Sequence, residues 1–554
     1  MRGYPPVPPM SRDYEVHDDH SAVLDSAHSG DIKGALGTIA YGDVAARRGL
    51  SAKLKTLLAI VGPGLIVMVG DNDAGAFGTY TQAGQNFGLH LMWTLILLVP
   101  VLYVNQEMVL RLGAVSGVGH ARLIMERFGK FWGAFSVIDL FILNALTIVT
   151  EFIGVTLAVG YLGLPKIPSV ILAALAIIGT ASTGSFRRFE RISLILVAGS
   201  LLLIPIYIMV HPPAGSMVRS LVVPGLPHGA SLSTVMLLII AIVGTTVAPW
   251  QLFFQQSYVI DKRITPRFIN YERVDLVIGI VIVIVGAAAM FGFSAATFAG
   301  HAGAGHFTSA QGVARGLGRF VSPIAGDLFA IALLDASIIG ASAVGLSTSY
   351  ALSDVMGFNH SLHRSVGKAK AFYVSYAALM VIAGALVVIP GVPLGLLTEG
   401  VQTLAGVLLP SATVFLLLLC NDKGVLGPWV NSTKLNIFTS AVVWILVLLS
   451  IILTASVMFP GITGTQIVSI LAGGSVLGLG AGVYLLVRTR SAVREAPPST
   501  EPPQNRATWR MPPLNLLSRP DMSRQRKIGM ITMRAYLLIA FALVVVKVVE
   551  VAVK

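Results

Sequence analysis

The chain has 554 residues, of which 55% are hydrophobic and only 12% are charged, and its mean hydropathy is +0.79. Soluble proteins carry roughly a quarter of their residues as charges, so this composition excludes a soluble enzyme, a disordered scaffold and a nucleic-acid-binding module. The net charge of +13 is better explained by Lys and Arg at the cytoplasmic ends of membrane helices than by a nucleic-acid partner. A single cysteine, Cys420, excludes an intramolecular disulfide and a cysteine-rich metal site.

Apolar stretches dominate the chain and predict an all-α polytopic membrane protein embedded in the lipid bilayer. A membrane helix needs about 20 mostly apolar residues. The stretches that meet this requirement are 55–88, 89–110, 132–162, 168–184, 192–210, 233–260, 276–300, 322–352, 371–398, 399–420, 435–459, 466–487 and 533–552. We therefore predict about 11–13 transmembrane helices, of which the stretch 533–552 has the weakest pattern.

Composition divides the chain into five regions. The predicted regions are a disordered cytoplasmic tail (1–50), a core of ten spans (51–425), two additional transmembrane helices (426–490), a cytoplasmic linker rich in Pro and charge (491–531) and a C-terminal transmembrane helix (532–554). No signal peptide pattern is visible at the N-terminus.

The positive charges of the short loops predict a cytoplasmic N-terminus in the cell membrane, because Lys and Arg accumulate in cytoplasmic loops. With this orientation the inner loops hold sixteen Lys and Arg and the outer loops hold four. The inner set is Arg111, Arg122, Arg127, Lys130, Arg187, Arg188, Arg191, Lys262, Arg263, Arg267, Arg273, Arg364, Lys368, Lys370, Lys423 and Lys434. The outer set is Lys166, Arg219, Arg315 and Arg319.

Two spans contain polar interruptions that do not suit a helix facing lipid. The middle of the first span reads GDNDAG and includes Asp71 and Asp73. A charge at the bilayer centre costs at least about 2.5–3.5 kcal/mol, so we predict an unwound stretch with its carboxylates in a polar cavity. The sixth span holds Thr245, Thr246 and Pro249, and Pro249 cannot donate a backbone hydrogen bond. Both spans are therefore predicted to be broken helices.

The two predicted breaks lie five spans apart. Corresponding breaks in two halves of a membrane protein point to a transporter site. Because each repeat has an odd number of spans, spans 1–5 and 6–10 would have opposite topology and form an inverted pair. The site is then expected near the membrane midplane, where the breaks face each other. The alternative is two kinked helices whose acids face loops.

Several motifs occur in the order found in the NRAMP family of divalent-metal transporters. The first span, GPGLIVMVGDNDAGAFGTYTQAGQNFG, resembles the family's GPG…DPGN…AG..YG, and the sixth, GTTVAPWQLFFQQS, is similar to GATVMPHNLFLHS. TEFIGVTLA in the third span resembles AEVIGTAIA, and NQEMVLRLGAVSG in the second resembles QxLxxRLGxVTG. The tenth span, VQTLAGVLLPSATVFLLLLCND, also corresponds. The resemblance covers residues 55–425.

This resemblance implies a LeuT-type fold, with inverted five-helix repeats and broken helices 1 and 6, and transport by alternating access. It also implies that the chain is not an enzyme and uses no cofactor, since a divalent metal ion is the substrate. Departures from the family pattern are informative. The carboxylate ligand is kept at Asp73, whereas the family's Asn ligand is replaced by Ala76. The other replacements are Ala248 for the metal-binding Met, Trp250 for the following His, Gln255 and Gln256 where a later His falls, and Ile148 for an acid used in proton transfer.

These replacements favour Mg²⁺ as the substrate, together with Mn²⁺. A thioether is a soft ligand that selects Mn²⁺, Fe²⁺ and softer ions. Without the Met and Asn, the site keeps hard oxygen ligands and gains room for Mg²⁺, which dehydrates reluctantly and usually keeps several waters. This pattern resembles the NRAMP-related magnesium transporters, a divergent branch of the family. Loss of the acid and the histidines predicts that transport is not coupled to protons.

Six side chains are the candidate members of the metal site: Asp73, Asp71, Thr245, Thr246, Gln251 and Gln402. The resemblance implies that Asp73 binds the ion. Asp71 is either a second carboxylate that contacts the ion's waters or a partner of a helix end. Thr245 stands where the family supplies a backbone carbonyl ligand.

Three of the six candidates have a structural alternative. The hydroxyl of Thr246 either faces a bound water or bonds a carbonyl of its own helix. Gln251 either holds a metal-bound water or is a structural amide. Gln402 matches a tenth-span Gln that closes over the ion in the family. Glu151 in the third span matches the family's Glu and either tunes the charge of the site or satisfies a hydroxyl such as that of Thr150.

Other functions remain as alternatives. The first is a proton-coupled Mn²⁺/Fe²⁺ symporter of the same family, which would require Met, Asn and two His at the replaced positions. The second is an amino-acid carrier of the same architecture, which is disfavoured because Asp71 and Asp73 would repel a substrate carboxylate. A non-transporting metal sensor is disfavoured because the polar tails show no recognisable domain. The sequence does not indicate the oligomeric state.

Overall fold

The chain forms a bundle of α-helices with one small β-hairpin in the computed structural model, which describes residues 27–227, 229–390, 394–459, 462–495 and 505–517 and the isolated positions 531 and 538. The helices of these regions are α1 (Leu50–Ile60), α2 (Pro63–Val69), α3 (Ala74–Phe87), α4 (Trp93–Ser116), α5 (His120–Phe128), α6 (Lys130–Tyr161), α7 (Lys166–Ala181), α8 (Phe186–Gly199), α9 (Leu203–Val210), α10 (Ala214–Val222), α11 (Leu232–Thr246), α12 (Pro249–Asp261), α13 (Ile269–Phe298), α14 (Ala310–Phe320), α15 (Pro323–Met356), α16 (Lys370–Val388), α17 (Leu394–Cys420), α18 (Lys423–Leu426), α19 (Thr433–Met458) and α20 (Gly464–Glu495). The hairpin pairs β1 (Ile32–Lys33) with β2 (Thr38–Ile39) in antiparallel register.

The number of membrane spans agrees with the lower part of the predicted range. Within the described residues, ten helical segments are long and apolar enough to cross a membrane, and α1 with α2 gives an eleventh if this pair, bent by 55°, is one span. The shorter α7 has 16 residues and lies in the predicted fourth span. The predicted all-α membrane fold is thus confirmed. The predicted span 533–552 lies outside the described residues, apart from position 538.

The interrupted spans lie at the centre of the bundle. In the most apolar part of Thr234–Asp261, 89% of the residues are buried, compared with 6% in Gly464–Tyr484. Helix α12 packs against α4 and α15, α11 packs along α17, and α13 packs along α2 and α3. The sixth span is therefore largely surrounded by other helices, whereas α20 lies at the edge.

Both predicted breaks are present. Helix α2 ends at Val69 and α3 begins at Ala74, where Asp73 caps the new helix by accepting a hydrogen bond from the backbone N–H of Ala76 over 2.9 Å. Helix α11 ends at Thr246, and α12 begins at Pro249, whose fixed φ and missing N–H suit the first position of a helix. Each five-span block therefore begins with an interrupted span.

The segment before the first span differs from the prediction of a disordered tail. Residues 1–26 lie outside the described residues, but residues 27–49 follow a defined path along one end of the bundle. We call residues 27–45 the N-terminal strap. The strap contains the β-hairpin, and its backbone is bonded by side chains of α8 and of the loop after α12. The composition of the strap resembles that of disordered segments and gives no sign of its partners, which are far away in sequence.

A second polar segment also packs against the core instead of acting as a free linker. Within the predicted linker 491–531, the N–H of Met511 donates to the carbonyl of Val115 over 3.1 Å. The indole of Trp429 donates to the carbonyl of Arg506 over 2.8 Å. We call residues 505–517 the C-terminal segment. It connects the end of α4 to the loop that follows α18.

Candidate metal site

Asp73 stands at the first break against the third span. Its side chain is buried, and Oδ1 accepts from the N–H of Ala76. The carboxylate of Glu151 on α6 lies next to it, because Glu151 Oε2 accepts from the N–H of Ala74 over 3.2 Å. A Cβ on Gly340 of α15 would lie 2.7 Å from Glu151 Oε2 and 2.8 Å from Asp73 Cβ. The absence of a side chain at Gly340 therefore allows α15 to approach both acids.

Two glutamine side chains form a series of hydrogen bonds that ends at Asp71. The Nε2 of Gln251 on α12 donates to Asp71 Oδ1, and the Nε2 of Gln106 on α4 donates to Gln251 Oε1 over 2.8 Å. Gln251 Nε2 also lies 3.4 Å from the carbonyl of Thr246. Gln251 thus joins the two breaks through a direct contact with Asp71. Gln106 was not a predicted site residue, although its position beside Asn105 and Glu107 within an apolar span was a usable signal.

The two threonines of the second break differ in their contacts. Thr246 donates to the carbonyl of Ile242 in its own helix over 2.6 Å and accepts from the hydroxyl of Tyr80 over 2.7 Å. The structural alternative for Thr246 therefore describes this conformation. The hydroxyl of Thr245 is buried and has no hydrogen-bond partner. Thr245 is also in the last turn of α11, where backbone carbonyls are left without helical partners.

Gln402 of α17 lies between the two breaks. A Cβ on Gly75 would overlap the side-chain nitrogen of Gln402 and lie 3.1 Å from Asp73 Oδ1. A Cβ on Gly244 would overlap the carbonyl oxygen of Gln402. The Nε2 of Gln402 is buried without a hydrogen-bond partner. The tenth span therefore places an unsatisfied amide beside Asp73.

Several buried polar atoms at and beside the breaks have no hydrogen-bond partner. They are Asp71 Oδ2, Asn72 Oδ1, Glu151 Oε1, Thr245 Oγ1 and Gln402 Nε2. Buried polar atoms normally have partners because each missing hydrogen bond costs about 1–3 kcal/mol. No group of three or more His, Cys, Asp or Glu side chains with a metal-binding arrangement occurs in the described residues. A cation here would therefore be bound by a mixed set of carboxylate, amide, hydroxyl and carbonyl oxygens, with water completing the shell.

Three acidic side chains lie around the breaks. Asp71, Asp73 and Glu151 are at most 3% exposed, and none forms an ion pair within the described parts of the chain. Helices α2 and α11 end here and helices α3 and α12 begin here, so the carbonyl ends of two helices and the N–H ends of two others face the breaks. A divalent cation would compensate the acidic side chains and could bind at the carbonyl ends.

Other polar side chains of the spans have structural contacts. Asn72 donates through Nδ2 to the carbonyl of Val283 on α13 over 3.1 Å, so its amide nitrogen faces away from the second break. Thr150 donates to the carbonyl of Thr147, so it is not satisfied by Glu151. Glu107 pairs with Arg111 over 3.1 Å and with Arg273 over 2.6 Å.

The replaced family positions are packed without a titratable group. Ala76 and Ala248 are buried, and Trp250 packs 6.3 Å from the ring of Phe254. Gln255 is fully buried with both amide atoms unpartnered. These positions therefore provide no histidine or acid beside the breaks.

His120 on the short helix α5 was not a predicted site residue. Its Nδ1 lies 3.0 Å from Gln256 Oε1, so this histidine contacts the inner half of the sixth span. Burial lowers the pKa of the His120 imidazole to about 4, although the contact with Gln256 opposes the shift. The imidazole is neutral at physiological pH and contacts an amide, which does not titrate.

A vestibule leads toward the first break from the end of α3. Its walls include Ala74, Gly154 and Leu333 near the break and Gln82 and Glu399 farther away. Gln82 Nε2 donates to Glu399 Oε2 over 3.3 Å. This is the end of the bundle opposite to the N-terminal strap, since α3 runs away from the break toward Phe87.

Gly75→Ala tests the contact between Gln402 and the first break. The added methyl group would take the place of the Gln402 side-chain nitrogen, and a flexible side chain can move without unfolding the protein. We expect metal uptake to fall by about tenfold, as is usual when a partner of a metal ligand is displaced. Ala83→Gly on the same helix is the control for a general change in helix stability. Uptake equal to that of the control would exclude a role for this contact.

Comparisons with known proteins agree with the geometry. Residues 64–456 match the model of the Nramp family, described as natural resistance-associated macrophage protein-like. The Divalent metal cation transporter MntH of Ralstonia nicotianae is 30% identical over 425 residues, covering 71% of this chain and 88% of that protein. The protein of the same name from Bacillus subtilis is 24% identical over 476 residues, covering 80% and 98%. The match to the Lacticaseibacillus casei protein spans 64% of its length.

A solved structure shows the same fold. The manganese transporter of Eremococcus coleocola, crystallised with an aromatic bis-isothiourea compound, superposes with a TM-score of 0.61 at 20% identity and covers 82% of this chain and 98% of that protein. The predicted LeuT-type architecture with broken helices 1 and 6 is thus confirmed. Because the family model matches about 70% of the chain, including both breaks, the protein belongs to the Nramp family.

Proposed function

We propose that the chain is a divalent metal cation transporter that works by alternating access in the cell membrane, with the N-terminus in the cytoplasm. One observation carries this proposal: Asp71, Asp73 and Glu151 are buried together at the first break, without a Lys or Arg partner within the described residues. Buried carboxylates need a compensating positive charge. A divalent cation supplies this charge, and the carbonyl ends of α2 and α11 favour it as well.

Mg²⁺ is the proposed main substrate, and Mn²⁺ is a second one. The atoms that remain unsatisfied at the breaks are oxygens and one amide nitrogen, and Ala76 and Ala248 leave no soft ligand. Hard oxygen ligands suit Mg²⁺ and Mn²⁺, and Mg²⁺ usually keeps part of its water. In this proposal Asp73 contacts the ion directly and Thr245 contributes a backbone carbonyl from the last turn of α11. Gln251, whose amide is bonded to Asp71 and Gln106, orients Asp71. The relatives named for divalent metal cations and manganese support the inclusion of Mn²⁺.

Transport is proposed to proceed without proton co-transport. Ile148 and Trp250 occupy positions that carry titratable groups in the family, and both are fully or almost fully buried. Histidine is the side chain whose ordinary pKa lies near neutral pH, and the buried His120 contacts only a glutamine amide among the hydrogen bonds described for it. A divalent cation gains about 4.6 kcal/mol per 100 mV of inside-negative potential, so the membrane potential alone can drive uptake.

The proposal is tested in proteoliposomes that contain a metal-sensitive dye and a pH-sensitive dye. We expect uptake of Mg²⁺ and Mn²⁺ that increases with an inside-negative potential, while the pH dye stays constant. Ca²⁺ is the comparison ion, and each ion is measured with and without an imposed pH gradient. Liposomes with the Asp73→Asn variant control for leakage.

A proton-coupled Mn²⁺/Fe²⁺ symporter is the alternative, and the same assay distinguishes it. Acidification of the vesicles that scales with metal uptake, and that disappears in Glu151→Gln, would show that Glu151 has taken over the relay. Uptake of Mn²⁺ that Mg²⁺ does not inhibit would contradict the proposed selectivity while leaving metal transport in place.

A further inference from the structure

The N-terminal strap covers the end of the bundle that lies opposite the vestibule. It passes over the start of α8 and the end of α12 and reaches the loop after α15. Its outer face is in solvent, with Leu36 58% and Tyr41 74% exposed. Its inner face, including Ile32, Ala35 and Ile39, is buried against the spans. The strap therefore lies across the ends of the spans and is not itself a membrane span.

Arginines of the bundle hold the strap by its backbone. Arg187 donates to the carbonyl of Gly34 over 3.0 Å and to that of Gly37 over 3.3 Å, and Arg191 donates to the carbonyl of Ala35 over 3.0 Å. Arg263 donates to the carbonyls of Ala27, over 2.7 and 3.0 Å, and Asp31, over 3.2 Å. Arg267 bonds the carbonyls of Val44 and Ala45. Contacts with a charged donor are among the stronger protein hydrogen bonds, so the strap is fixed along most of its length.

The strap also presses on α1, the first half of the broken span. A Cβ on Gly34 would overlap the backbone carbonyl of Ala59, and a Cβ on Gly37 would lie 2.9 Å from Ala59 Cβ. Glycine at these two positions is what allows the hairpin to approach α1 so closely. Ala59 is 1% exposed as a result.

A buried ionic network fixes the bend between α1 and α2 directly beneath the strap. Lys262 Nζ donates to the carbonyls of Ile60 and Val61, over 2.5 and 2.8 Å, and pairs with Glu190 over 2.6 Å. The other oxygen of Glu190 accepts from the N–H of Ala35 in the strap. Glu190 thus connects the strap to the lysine that holds the end of α1. Both charged side chains are fully buried.

We propose that the strap is a latch on the transport path: while it is bound, this end of the bundle is closed and the α1–α2 bend is fixed, and it must detach before the ion leaves on this side. This proposal rests on the proposed transport function. That detachment of residues 27–45 opens this end of the bundle can nevertheless be tested without any metal ion.

The test measures the reactivity of introduced thiols toward a charged maleimide, in detergent so that both ends are accessible. The background is the full-length chain with Cys420→Ala, which removes the single native thiol. One reporter is Ala59→Cys, directly under the strap. The other is Ser257→Cys on α12, which is 6% exposed and lines a cavity with Asp354, His360 and His28 of the strap, away from the contact of the strap with α1.

Arg187→Ala with Arg191→Ala loosens the strap, and Arg188→Ala is the matched control, because Arg188 is exposed on the same helix. We expect both reporters to react at least about tenfold faster in the loosened variant than in the control, since the lost bonds to charged donors shift the opening equilibrium by that factor or more. Gly34→Ala, read with the Ser257→Cys reporter, loosens the strap by overlap with Ala59 and leaves every charge in place. Gly34→Ala should give the same increase in the reaction rate of the reporter. It therefore replaces the double variant if the double variant fails to fold.

The outcomes separate the latch from the proposed function. Unchanged rates at both reporters, or faster reaction at Ala59→Cys alone, would overturn the latch, because residues 27–45 would then not detach as a unit and this end of the bundle would stay closed. Faster reaction at both reporters in a chain that fails to take up Mg²⁺ or Mn²⁺ would retain the latch and remove the proposed function.

Discussion

Replacement of Asp73 by Asn is expected to abolish metal uptake, with a loss of at least about 100-fold. Asn can still cap α3 by accepting from the N–H of Ala76, as Asp73 does, so the break should keep its geometry. What is lost is the negative charge that is proposed to bind the ion directly. Removing one of three buried carboxylates also relieves repulsion in the empty site, so the thermal stability of the apo protein should not fall. The measurement is Mg²⁺ and Mn²⁺ uptake together with a melting curve.

The control for this experiment is Asp139, a half-buried acid of the third span. Asp139 lines a cavity with Phe135, Leu140 and Pro249, the first residue of α12, and Asp139→Asn removes an acidic group outside the proposed metal ligands. Uptake in this control should stay close to that of the unmodified protein. Wild-type uptake by the Asp73→Asn variant would remove Asp73 from the metal site, whereas equal losses in both variants would indicate a general requirement for buried negative charge.

The second large effect concerns ion selectivity. The double variant Ala76→Asn with Ala248→Met restores an amide and a thioether beside the breaks. A thioether binds Mn²⁺ better than Mg²⁺, so we expect the concentration of Mg²⁺ that halves Mn²⁺ uptake to rise by about tenfold or more, which corresponds to about 1.4 kcal/mol of relative binding free energy. Competition curves at fixed Mn²⁺ provide this value.

A matched variant separates ligand chemistry from volume. Leu has nearly the size of Met and no sulfur, so Ala76→Asn with Ala248→Leu fills the same buried space without a new ligand. The leucine variant should keep the original Mg²⁺ inhibition if it still transports. Undiminished inhibition by Mg²⁺ in the methionine variant would contradict the proposal that Ala248 sets the preference.

Local sequence was sufficient to predict the two breaks. A helix that faces lipid does not suit the acids and glycines around Asp73. It also does not suit Pro249, which follows two threonines. Their consequence is local, because each helix stops within a few residues of the unsuitable side chain. The approximate span positions followed in the same way from runs of apolar residues.

Contacts between distant elements could not be predicted in this way. Gln106 was overlooked because its partner, Gln251, is 145 residues away in sequence. The strap was predicted to be disordered because its arginine partners are separated from it by about 150 to 240 residues, so its own composition carries no sign of them. The roles of Asp71, Thr245 and Gln402 as ion ligands remain predictions, although the structure brings Gln402 next to Asp73.

The C-terminal segment has a consequence for how the protein is made. The carbonyl of Val115 and the indole of Trp429 take their partners from Met511 and Arg506. Met511 follows Val115 by about 400 residues, which at typical synthesis rates means a delay of roughly 20 to 80 s. During that time, water at the membrane surface must satisfy the Val115 carbonyl. This part of the protein is therefore completed late in synthesis, and a chain that stops before residue 505 would leave both groups without these partners.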